Sequence, residues 1–306
     1  MARVVFLGYG EYGAASLRGL ARAHQVVLAF THPSPPGRHS PVDALAIELG
    51  IRLHHSERLA QTSDVDLLSE AKPDFLVSTN WRRQVADSAL ATARLAALNV
   101  HDSLLPRYAG LCAEQWVVRN DETRTGVTVH VMTPSMDMGG IVCQQEIPIG
   151  PDDHAAEVAR RQIAVYPDII VRAIADYTRP GFTPIVHPAS AYERWHAITE
   201  DDLRVDWTRG PREIMNMIRA HSDPYAGCFF TIRGRRLRLK AARMPAFSCC
   251  GTPGRVVAFV DDGVLVATGQ DRRAARGRGI VLQHVQDEGG EIRSARDVLP
   301  RNAQLA

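Results

Sequence analysis

The chain has 306 residues, and its apolar and charged fractions of 45% and 23% are those of a globular protein with one or two domains. The formal charge of +2 excludes a global electrostatic attraction to nucleic acid or to a membrane surface. Five cysteines without a CxxC pair or Cys/His ligand spacing exclude a zinc motif and a disulfide framework. With no signal-peptide pattern and no apolar run of membrane-spanning length, we expect a cytoplasmic protein.

Short apolar strands alternate with helical patterns over the first hundred residues. The pattern predicts strands at 2–8, 25–31, 51–54, 73–78 and 98–101, and helices at 12–23, 41–49, 64–70 and 86–95. The strands are continuous apolar runs, which is typical of strands buried on both faces. This alternation predicts an α/β fold with a doubly wound, mostly parallel sheet.

After residue 112 the predicted elements are first mixed strands and helices, then a linker, and then mainly short strands. The pattern predicts a helix at 113–120, a hairpin of strands 125–132 and 141–149, a long helix at 153–176, a further helix at 212–221, and short strands at 228–232, 237–242, 254–260, 264–268 and 280–285. Several short strands in succession are typical of a small β-barrel. We therefore predict three segments: a catalytic domain at 1–180, a linker rich in proline and aromatic residues at 181–206, and a β-rich domain at 207–306.

The segment with the clearest chemistry is Asn99-Val100-His101-Asp102-Ser103-Leu104-Leu105-Pro106, which is followed by Asp137 in a Met-Asp-Met-Gly-Gly turn. Residues two apart in a strand share a face, so Asn99 and His101 point the same way. An amide, an imidazole and a carboxylate can stabilise a carbonyl oxygen, move a proton and orient a base. Together these residue types indicate acyl transfer to a nitrogen.

The pattern Asn-x-His-x-Ser-Leu-Leu-Pro, with Gly110 four residues later and Asp137-x-Gly139 after a strand, resembles the folate-dependent formyltransferases. That resemblance implies a Rossmann-like formyltransferase domain followed by an OB-like C-terminal domain. It implies N10-formyltetrahydrofolate as formyl donor, no metal, and catalytic roles for Asn99, His101 and Asp137. Asp223-Pro224-Tyr225 and the turn Gly251-Thr252-Pro253-Gly254 extend it into the C-terminal domain.

The same resemblance assigns binding residues to three loops and to the signature itself. The implied folate contacts are Trp81, Arg82, Gln84, Ser103, Gly110, Met132 and Pro134, and the implied acceptor contacts are Tyr9, Glu11 and Tyr12. The loop after the fourth strand lies at the carboxyl edge of a parallel sheet, where ligands bind. From its charge alone, we hypothesise that the carboxylate of Glu11 pairs with the α-ammonium of an acceptor.

Two readings from other classes stay open. Gly8-Tyr9-Gly10-Glu11-Tyr12-Gly13 is a literal GxGxxG after a strand, which is typical of an NAD-dependent oxidoreductase. The second strand ends Ala-Phe-Thr-His, however, without the acidic residue that would bind a ribose. A folate-binding module without turnover is the other reading, and the intact Asn99, His101 and Asp137 argue against it.

Basic stretches at 233–240 and at Arg272, Arg273, Arg276 and Arg278 raise the question of nucleic acid. Alternating arginine and leucine is equally a strand with one solvated face, which is the interpretation we prefer. The methionyl-tRNA formyltransferases of the same family carry an extended basic loop after the second strand. Here residues 33–41 are short, with Arg38 as the only fixed charge. We expect a small amine or hydroxylamine as partner, and neither a nucleic acid nor a membrane.

Among acceptors, the segment 99–110, Thr31-His32-Pro33, Asn80-Trp81-Arg82 and the turn at 251–254 most resemble the hydroxyornithine transformylases. N5-hydroxyornithine, as used in siderophore biosynthesis, is therefore ranked first, a sugar-nucleotide amine second and methionyl-tRNA third. Two further side chains receive structural interpretations: His130 as a histidine of an alternating strand, and Asp102 as a turn cap. The sequence does not indicate an oligomeric state.

Overall fold

The structure, a computed structural model, describes residues 1–34, 40–59, 61–247, 249–269 and 279–306. Arg38 and the four arginines at 272, 273, 276 and 278 lie outside the described residues. The chain forms two compact units: unit 1 is Met1–Ala113, Arg124–Pro148 and Ala159–His196, and unit 2 is Glu114–Thr123, Ile149–Val158 and Ala197–Ala306. The predicted linker at 181–206 is thus divided between the units after His196.

Unit 1 is built on a seven-stranded sheet with the strand order β3-β2-β1-β4-β5-β7-β8. Its strands are β1 (Arg3–Gly8), β2 (Gln25–Thr31), β3 (Leu53–His55), β4 (Phe75–Thr79), β5 (Ala96–His101), β7 (Arg124–Val131) and β8 (Ile141–Pro148). The first five strands are parallel, and β7 and β8 are antiparallel. The prediction of a doubly wound, mostly parallel sheet with a β7–β8 hairpin is confirmed. Every residue of β4 is buried, as expected for a strand covered on both faces.

Helices follow the parallel strands. They are α1 (Gly10–Ala23), α2 (Pro41–Glu48), α3 (Thr62–Ala71) and α4 (Asp87–Leu90), with α5 (Ala113–Arg119) and α6 (Ala155–Tyr177) later in the chain. Ser40 and Asp43 start α2 with a reciprocal capping box, and Pro41 occupies its first turn. Leu17 and Leu20 of α1 pack with Phe6, Phe75 and other apolar side chains in the core of unit 1.

The predicted helix at 86–95 is wrong in its length, since α4 has a single turn. The hydroxyl of Thr92 donates to the carbonyl of Ala89 at 2.7 Å. The amides of Arg94 and Leu95 then donate to the carbonyls of Pro73 and Asp74, which lie just before β4. These bonds draw residues 94 and 95 into an extended path beside β4, so tertiary pairing overrides the local helical preference.

Unit 2 contains α7 (Pro211–His221) and a six-stranded antiparallel sheet. The strands are β10 (Phe229–Ile232), β11 (Arg235–Arg243), β12 (Val256–Val260), β13 (Gly263–Ala267), β14 (Gly279–Asp287) and β15 (Ile292–Ser294), and a short helix α8 (Ala295–Val298) follows. Phe230, Leu237, Val264 and Leu282 are fully buried in its core together with Trp207. Each of the five predicted strands is present, with bounds that differ by at most two residues at either end. No helix among the described residues combines the length and apolarity needed to cross a membrane.

Candidate active site

The site begins on β5, which lies between the parallel strand β4 and the antiparallel strand β7. Asn99 is paired with Ser78 on one side and with His130 on the other. His101, two residues further, is on the same face of the strand. The carboxyl end of β5 therefore presents an amide and an imidazole together, as the sequence predicts.

The side chain of Asn99 is hydrogen-bonded to His130 on the neighbouring strand. Its Nδ2 lies 3.1 Å from Nε2 of His130, whose Nδ1 lies 2.9 Å from the carbonyl oxygen of Val131. A carbonyl oxygen only accepts, so Nδ1 donates to it and Nε2 accepts from the Asn99 amide. His130 thus orients Asn99, and both of its ring nitrogens have partners, as expected for a satisfied histidine in a strand.

His101 is buried, and two carboxylates lie near one of its ring nitrogens. Its Nε2 donates to the carbonyl of Tyr108 at 2.9 Å, while Nδ1 lies 3.7 Å from Oδ1 of Asp137 and 3.6 Å from Oδ1 of Asp102. Burial opposes the charged ring, but Asp137, Asp102 and the Tyr108 carbonyl outweigh it and raise the pKa of His101 above its ordinary value. The Asp102 side chain therefore faces the imidazole as well as the loop.

The carboxylate of Asp137 contacts three other parts of the site. Its Oδ1 lies 3.7 Å from both His101 and His130, and its Oδ2 accepts the backbone amide of Gly110 at 2.9 Å. Burial favours the neutral acid, but the charge of His101 and the hydrogen bond from the Gly110 amide hold the pKa of Asp137 well below its usual range. The backbone at Asp137 has φ +60, a left-handed value that aspartate tolerates better than most residues.

The loop after β5 is held by side chains of the β7–β8 hairpin. The Thr128 hydroxyl donates to the Ser103 carbonyl at 2.6 Å and accepts the Leu105 amide at 3.1 Å, and Gln144 donates to the Leu105 carbonyl. The Ser103 hydroxyl is fully buried and donates to the carbonyl of Arg107 at 2.8 Å. Ser103 therefore contributes to the shape of the loop that carries Tyr108.

Residues that the sequence places in a linker form part of the same site. Strand β9 (Arg194–Trp195) pairs in parallel with β6 (Ala109–Gly110), and the Trp195 ring stacks on Tyr108 with a centroid distance of 5.2 Å. Arg194 donates to the carbonyl of Met136 at 2.9 Å. These contacts fix the Tyr108 carbonyl, which accepts from His101, and the turn that carries Asp137.

Tyr192 belongs to this segment and packs against Leu105, Ala109 and Ile141. Burial, and then the charge of Asp137, raise the pKa of Tyr192. Its hydroxyl is buried and has no hydrogen-bond partner among the described residues. No sequence pattern indicates Tyr192 or Trp195, because the strand beside them has only two residues and therefore no readable period.

The loops after β1, β2 and β4 meet in an aromatic cluster. His32 stacks on Trp81 with a centroid distance of 4.0 Å and meets Tyr9 edge-on at 5.6 Å. The backbone amide of Arg82 donates to Nε2 of His32 at 3.1 Å, and its guanidinium lies 4.0 Å from the centroid of the Tyr9 ring. The Arg82 amide is thus already used within the protein, whereas the guanidinium is exposed.

Two predicted folate contacts are joined directly. The side-chain amide of Gln84 donates to the carbonyl of Pro134 at 2.7 Å, which links the loop after β4 to the loop after β7. Trp81 and Met132 both pack against the apolar cluster that includes Val85. The indole Nε1 of Trp81 is buried and has no hydrogen-bond partner among the described residues. The two sides of the predicted pterin slot therefore adjoin each other.

The three predicted acceptor residues have different surroundings. Tyr9 is part of the aromatic cluster, and Glu11 is exposed in the first turn of α1. Tyr12 packs against Tyr166 at 5.3 Å and against the core of unit 1. Gly10 adopts φ +66, so the glycines of the GxGxxG segment serve a tight strand-to-helix turn.

The basic strand of unit 2 is largely partnered within that unit. Arg235 pairs with Asp287, Arg236 with Glu200, Lys240 with Asp223 and Arg243 with Asp262, and Arg238 donates to the Ala226 carbonyl. Charges that are paired with carboxylates on their own surface attract a polyanion less than free ones. This agrees with the interpretation of the basic stretch 233–240 as a strand with one solvated face, although the observed strand is Arg235–Arg243.

The geometry fits transfer of a one-carbon acyl group. An oriented amide, a buried imidazole with raised pKa and an ionised carboxylate surround one position, and these groups can stabilise an oxyanion and move a proton. No cluster of three potential metal ligands occurs among the described residues.

Comparison with known proteins supports this chemistry. A family model described as "Formyl transferase" matches residues 2–174, and one described as "Formyl transferase, C-terminal domain" matches residues 197–302. Methionyl-tRNA formyltransferase of Myxococcus xanthus is 29% identical over 303 residues, covering 97% of this chain and 94% of the relative. That of Anaeromyxobacter dehalogenans is 30% identical over 305 residues, covering 97% and 96%.

Solved structures share the fold at lower identity. HypX from Aquifex aeolicus in complex with tetrahydrofolic acid superimposes with a TM-score of 0.61 at 19% identity. The match covers 97% of this chain and 47% of HypX, so the chain spans about half the length of that protein. An N-formyltransferase from Helicobacter canadensis, in complex with folinic acid and dTDP-3-aminofucose, gives a TM-score of 0.67 at 17% identity, covering 92% and 99%.

Proposed function

The chain belongs to the formyl transferase family, and we propose that it moves the formyl group of N10-formyltetrahydrofolate to the nitrogen of a small hydroxylamine, N5-hydroxyornithine in the first place. The observation that carries the proposal is the convergence on Asp137, whose Oδ1 lies 3.7 Å from His101 and 3.7 Å from His130. His130 in turn orients the amide of Asn99 at 3.1 Å. Three groups with complementary chemistry therefore surround a single position.

In this proposal the acceptor nitrogen attacks the formyl carbon, and a new C–N bond forms while negative charge develops on the formyl oxygen. The Asn99 amide donates to that oxygen, and removal of such a donor raises the barrier by roughly 3–4 kcal/mol. The positive charge of a protonated His101 adds to this stabilisation. The bond from the formyl carbon to N10 then breaks. The proton of the attacking nitrogen passes to Asp137 directly or through water, and the same proton is then delivered to N10 as N10 leaves.

The state of Asp137 bears on the kind of acceptor. Because its pKa is held well below the usual range, Asp137 is a poor base toward an alkylammonium, whose pKa is about 10. A hydroxylamine nitrogen is largely neutral near pH 7 and attacks without prior loss of a proton. The site therefore favours a weakly basic nitrogen.

The donor fits the slot between the loops after β4 and β7. Gln84 and Pro134 connect these loops at 2.7 Å, and Trp81 and Met132 supply apolar surface beside them. The buried Nε1 of Trp81 has no partner among the described residues, so a polar atom of a bound ligand would satisfy it. We assign these residues to pterin binding on that basis.

A small acceptor is supported by the surface charges. The segment 33–41 carries Arg38 as its only fixed charge, and the basic side chains of β11 have partners within unit 2. Glu11 is exposed in the first turn of α1, where it can meet the α-ammonium of an amino acid. These features suit a zwitterion better than a polyanion.

Methionyl-tRNA is the second candidate, because the curated relatives that match nearly the whole chain bear the name methionyl-tRNA formyltransferase. The deciding experiment gives the purified protein N10-formyltetrahydrofolate with N5-hydroxyornithine, an amino-sugar nucleotide or charged initiator tRNA, and quantifies the formylated product. We expect turnover with N5-hydroxyornithine. Turnover with the tRNA alone would reverse the assignment, and NAD binding without folate binding would refute formyl transfer altogether.

A further inference from the structure

We propose that the guanidinium of Arg82, held on the ring of Tyr9, binds the carboxylate of the acceptor. This inference rests on the proposed function and adds to it a residue that selects amino-acid acceptors. It starts from an exposed arginine that has no carboxylate partner among the described residues, although many arginines on this surface do have one.

Contacts at both the backbone amide and the guanidinium fix the position of Arg82. Its backbone amide donates to Nε2 of His32 at 3.1 Å, and its guanidinium lies 4.0 Å from the centroid of the Tyr9 ring. Burial first, and then the charges of Arg82 and Arg83, lower the pKa of His32. His32 is therefore neutral near pH 7 and serves as an acceptor for Arg82, so the cationic charge here belongs to arginine.

Tyr9 is itself held in place. The side-chain amide of Asn80 donates to the Tyr9 carbonyl at 3.1 Å, and the Tyr9 amide donates to the Thr79 carbonyl at 3.3 Å. Asn80 adopts φ +53, a left-handed value that asparagine tolerates better than most residues. The loops after β1 and β4 are thus tied together, and the stacked guanidinium is pre-oriented.

Stacking leaves the arginine competent for binding. A guanidinium that packs on an aromatic ring uses its face, whereas its N–H groups point outward from its edge. That edge matches a carboxylate with two parallel hydrogen bonds, and pre-orientation reduces the side-chain entropy lost on binding.

The distance to the catalytic groups suits an amino acid with a long side chain. Gly8 pairs with Thr79, and Thr79 pairs with Val100, so Tyr9, Asn80 and His101 follow in one row across three neighbouring strands. Two strand spacings separate the backbones at Tyr9 and His101 by roughly 10 Å. Five bonds join N5 of hydroxyornithine to its carboxyl carbon, an extended span of roughly 6 Å. A hydrogen bond to Arg82 accounts for most of the remainder.

The test compares two acceptors that differ in one group: N5-hydroxyornithine and its decarboxylated analogue N-hydroxy-1,4-diaminobutane. The variants are Arg82→Gln and, as a matched control, Arg83→Gln, the exposed neighbouring arginine. We expect the wild type to prefer the carboxylate by at least tenfold in kcat/KM. Arg82→Gln should raise the KM for N5-hydroxyornithine by about 10- to 100-fold, as for a lost charged hydrogen bond, and leave the KM for the analogue unaffected. A rise in the KM for the formyl donor instead would overturn the carboxylate site and return Arg82 to the folate contacts that the family resemblance implies.

The outcomes separate this inference from the proposed function. Equal use of both acceptors by the wild type, equal effects of the two substitutions, or a loss in Arg82→Gln that is the same for both acceptors would overturn the carboxylate site while leaving hydroxylamine formylation intact. If the wild type formylates neither acceptor but does formylate an amino-sugar nucleotide or a tRNA, the proposed function fails and the carboxylate site fails with it.

Discussion

The side-chain amide of Asn99 lies 3.1 Å from Nε2 of His130, on the neighbouring antiparallel strand. The opposite ring nitrogen lies 2.9 Å from the carbonyl oxygen of Val131, so the ring cannot turn without losing a bond. The amide that would meet the formyl oxygen is therefore oriented by a second residue.

We predict that His130→Phe lowers kcat by roughly 10- to 100-fold, because an unheld Asn99 amide is misplaced relative to the reacting carbon. His130→Gln keeps a side-chain group that can hydrogen bond to Asn99 and should recover part of the loss. Steady-state kinetics and a thermal melt check this. Equal kcat values in both variants and the wild type would show that Asn99 needs no such support.

The pH dependence of turnover should report on His101. Burial opposes the charged ring, but Asp137, Asp102 and the Tyr108 carbonyl raise the pKa of His101, so the ring keeps its proton to higher pH than an ordinary histidine and loses it only as pH rises through that raised value. We predict that kcat falls on the alkaline side.

Asp137→Asn removes one of the charges that raise this pKa, and burial then acts with less opposition. The alkaline fall in the residual kcat should move to lower pH in that variant. An NMR titration of the His101 ring in both proteins measures its pKa directly. An alkaline limb at the same pH in both proteins would mean that another group titrates.

Gly110 is expected to tolerate no side chain. It has φ +107, its amide donates to Asp137 at 2.9 Å, and a Cβ would lie 2.2 Å from the carbonyl oxygen of Trp195. We predict that Gly110→Ala loses about 1–3 kcal/mol of unfolding free energy through backbone strain, and about 100-fold in kcat through displacement of Asp137.

Gly50 is the matched control, since it has φ +64 but no atom within 4 Å of an added Cβ. Gly50→Ala should cost about 1–2 kcal/mol from left-handed strain alone and leave kcat unchanged. Chemical denaturation and kinetics on both variants separate the two effects. A wild-type kcat in Gly110→Ala would remove the proposed link between β6, β9 and the carboxylate.

Unit 2 should contribute an acid sensitivity of its own. His221 is fully buried, its Nδ1 donates to Gln115 at 3.0 Å, and burial followed by the charge of Arg119 lowers its pKa to about 3. As pH falls, His221 of the unfolded chain therefore binds a proton near pH 6.5, whereas His221 of the folded protein binds one only near pH 3. Stability should fall by about 1.4 kcal/mol per pH unit between pH 6.5 and about 3.

His221→Gln removes this titration, so the dependence of unfolding free energy on pH should become shallower by one proton across that range. Urea denaturation at several pH values measures the slope in both proteins. Identical slopes would show that His221 exchanges protons freely in the folded state.

The sequence predicts the part of the site that depends on local periodicity. The two-residue spacing of Asn99 and His101 already places them on one face, and the continuous apolar strands indicate a sheet covered on both sides. The role of His130 depends on the antiparallel register of β5 and β7, which no local pattern specifies. The contacts of Tyr192 and Trp195 likewise depend on a two-residue strand and on packing between distant segments, and the length of α4 depends on pairing beside β4.

The most direct measurement is the single-turnover rate of formyl transfer in Asp137→Asn and Asp102→Asn. Both carboxylates lie within 3.7 Å of Nδ1 of His101, but Asp137 alone also faces His130 and accepts the Gly110 amide. We predict a loss of about 10²–10⁴-fold for Asp137→Asn and a much smaller loss for Asp102→Asn. Equal losses in the two variants, or wild-type transfer without the Asp137 carboxylate, would contradict the account.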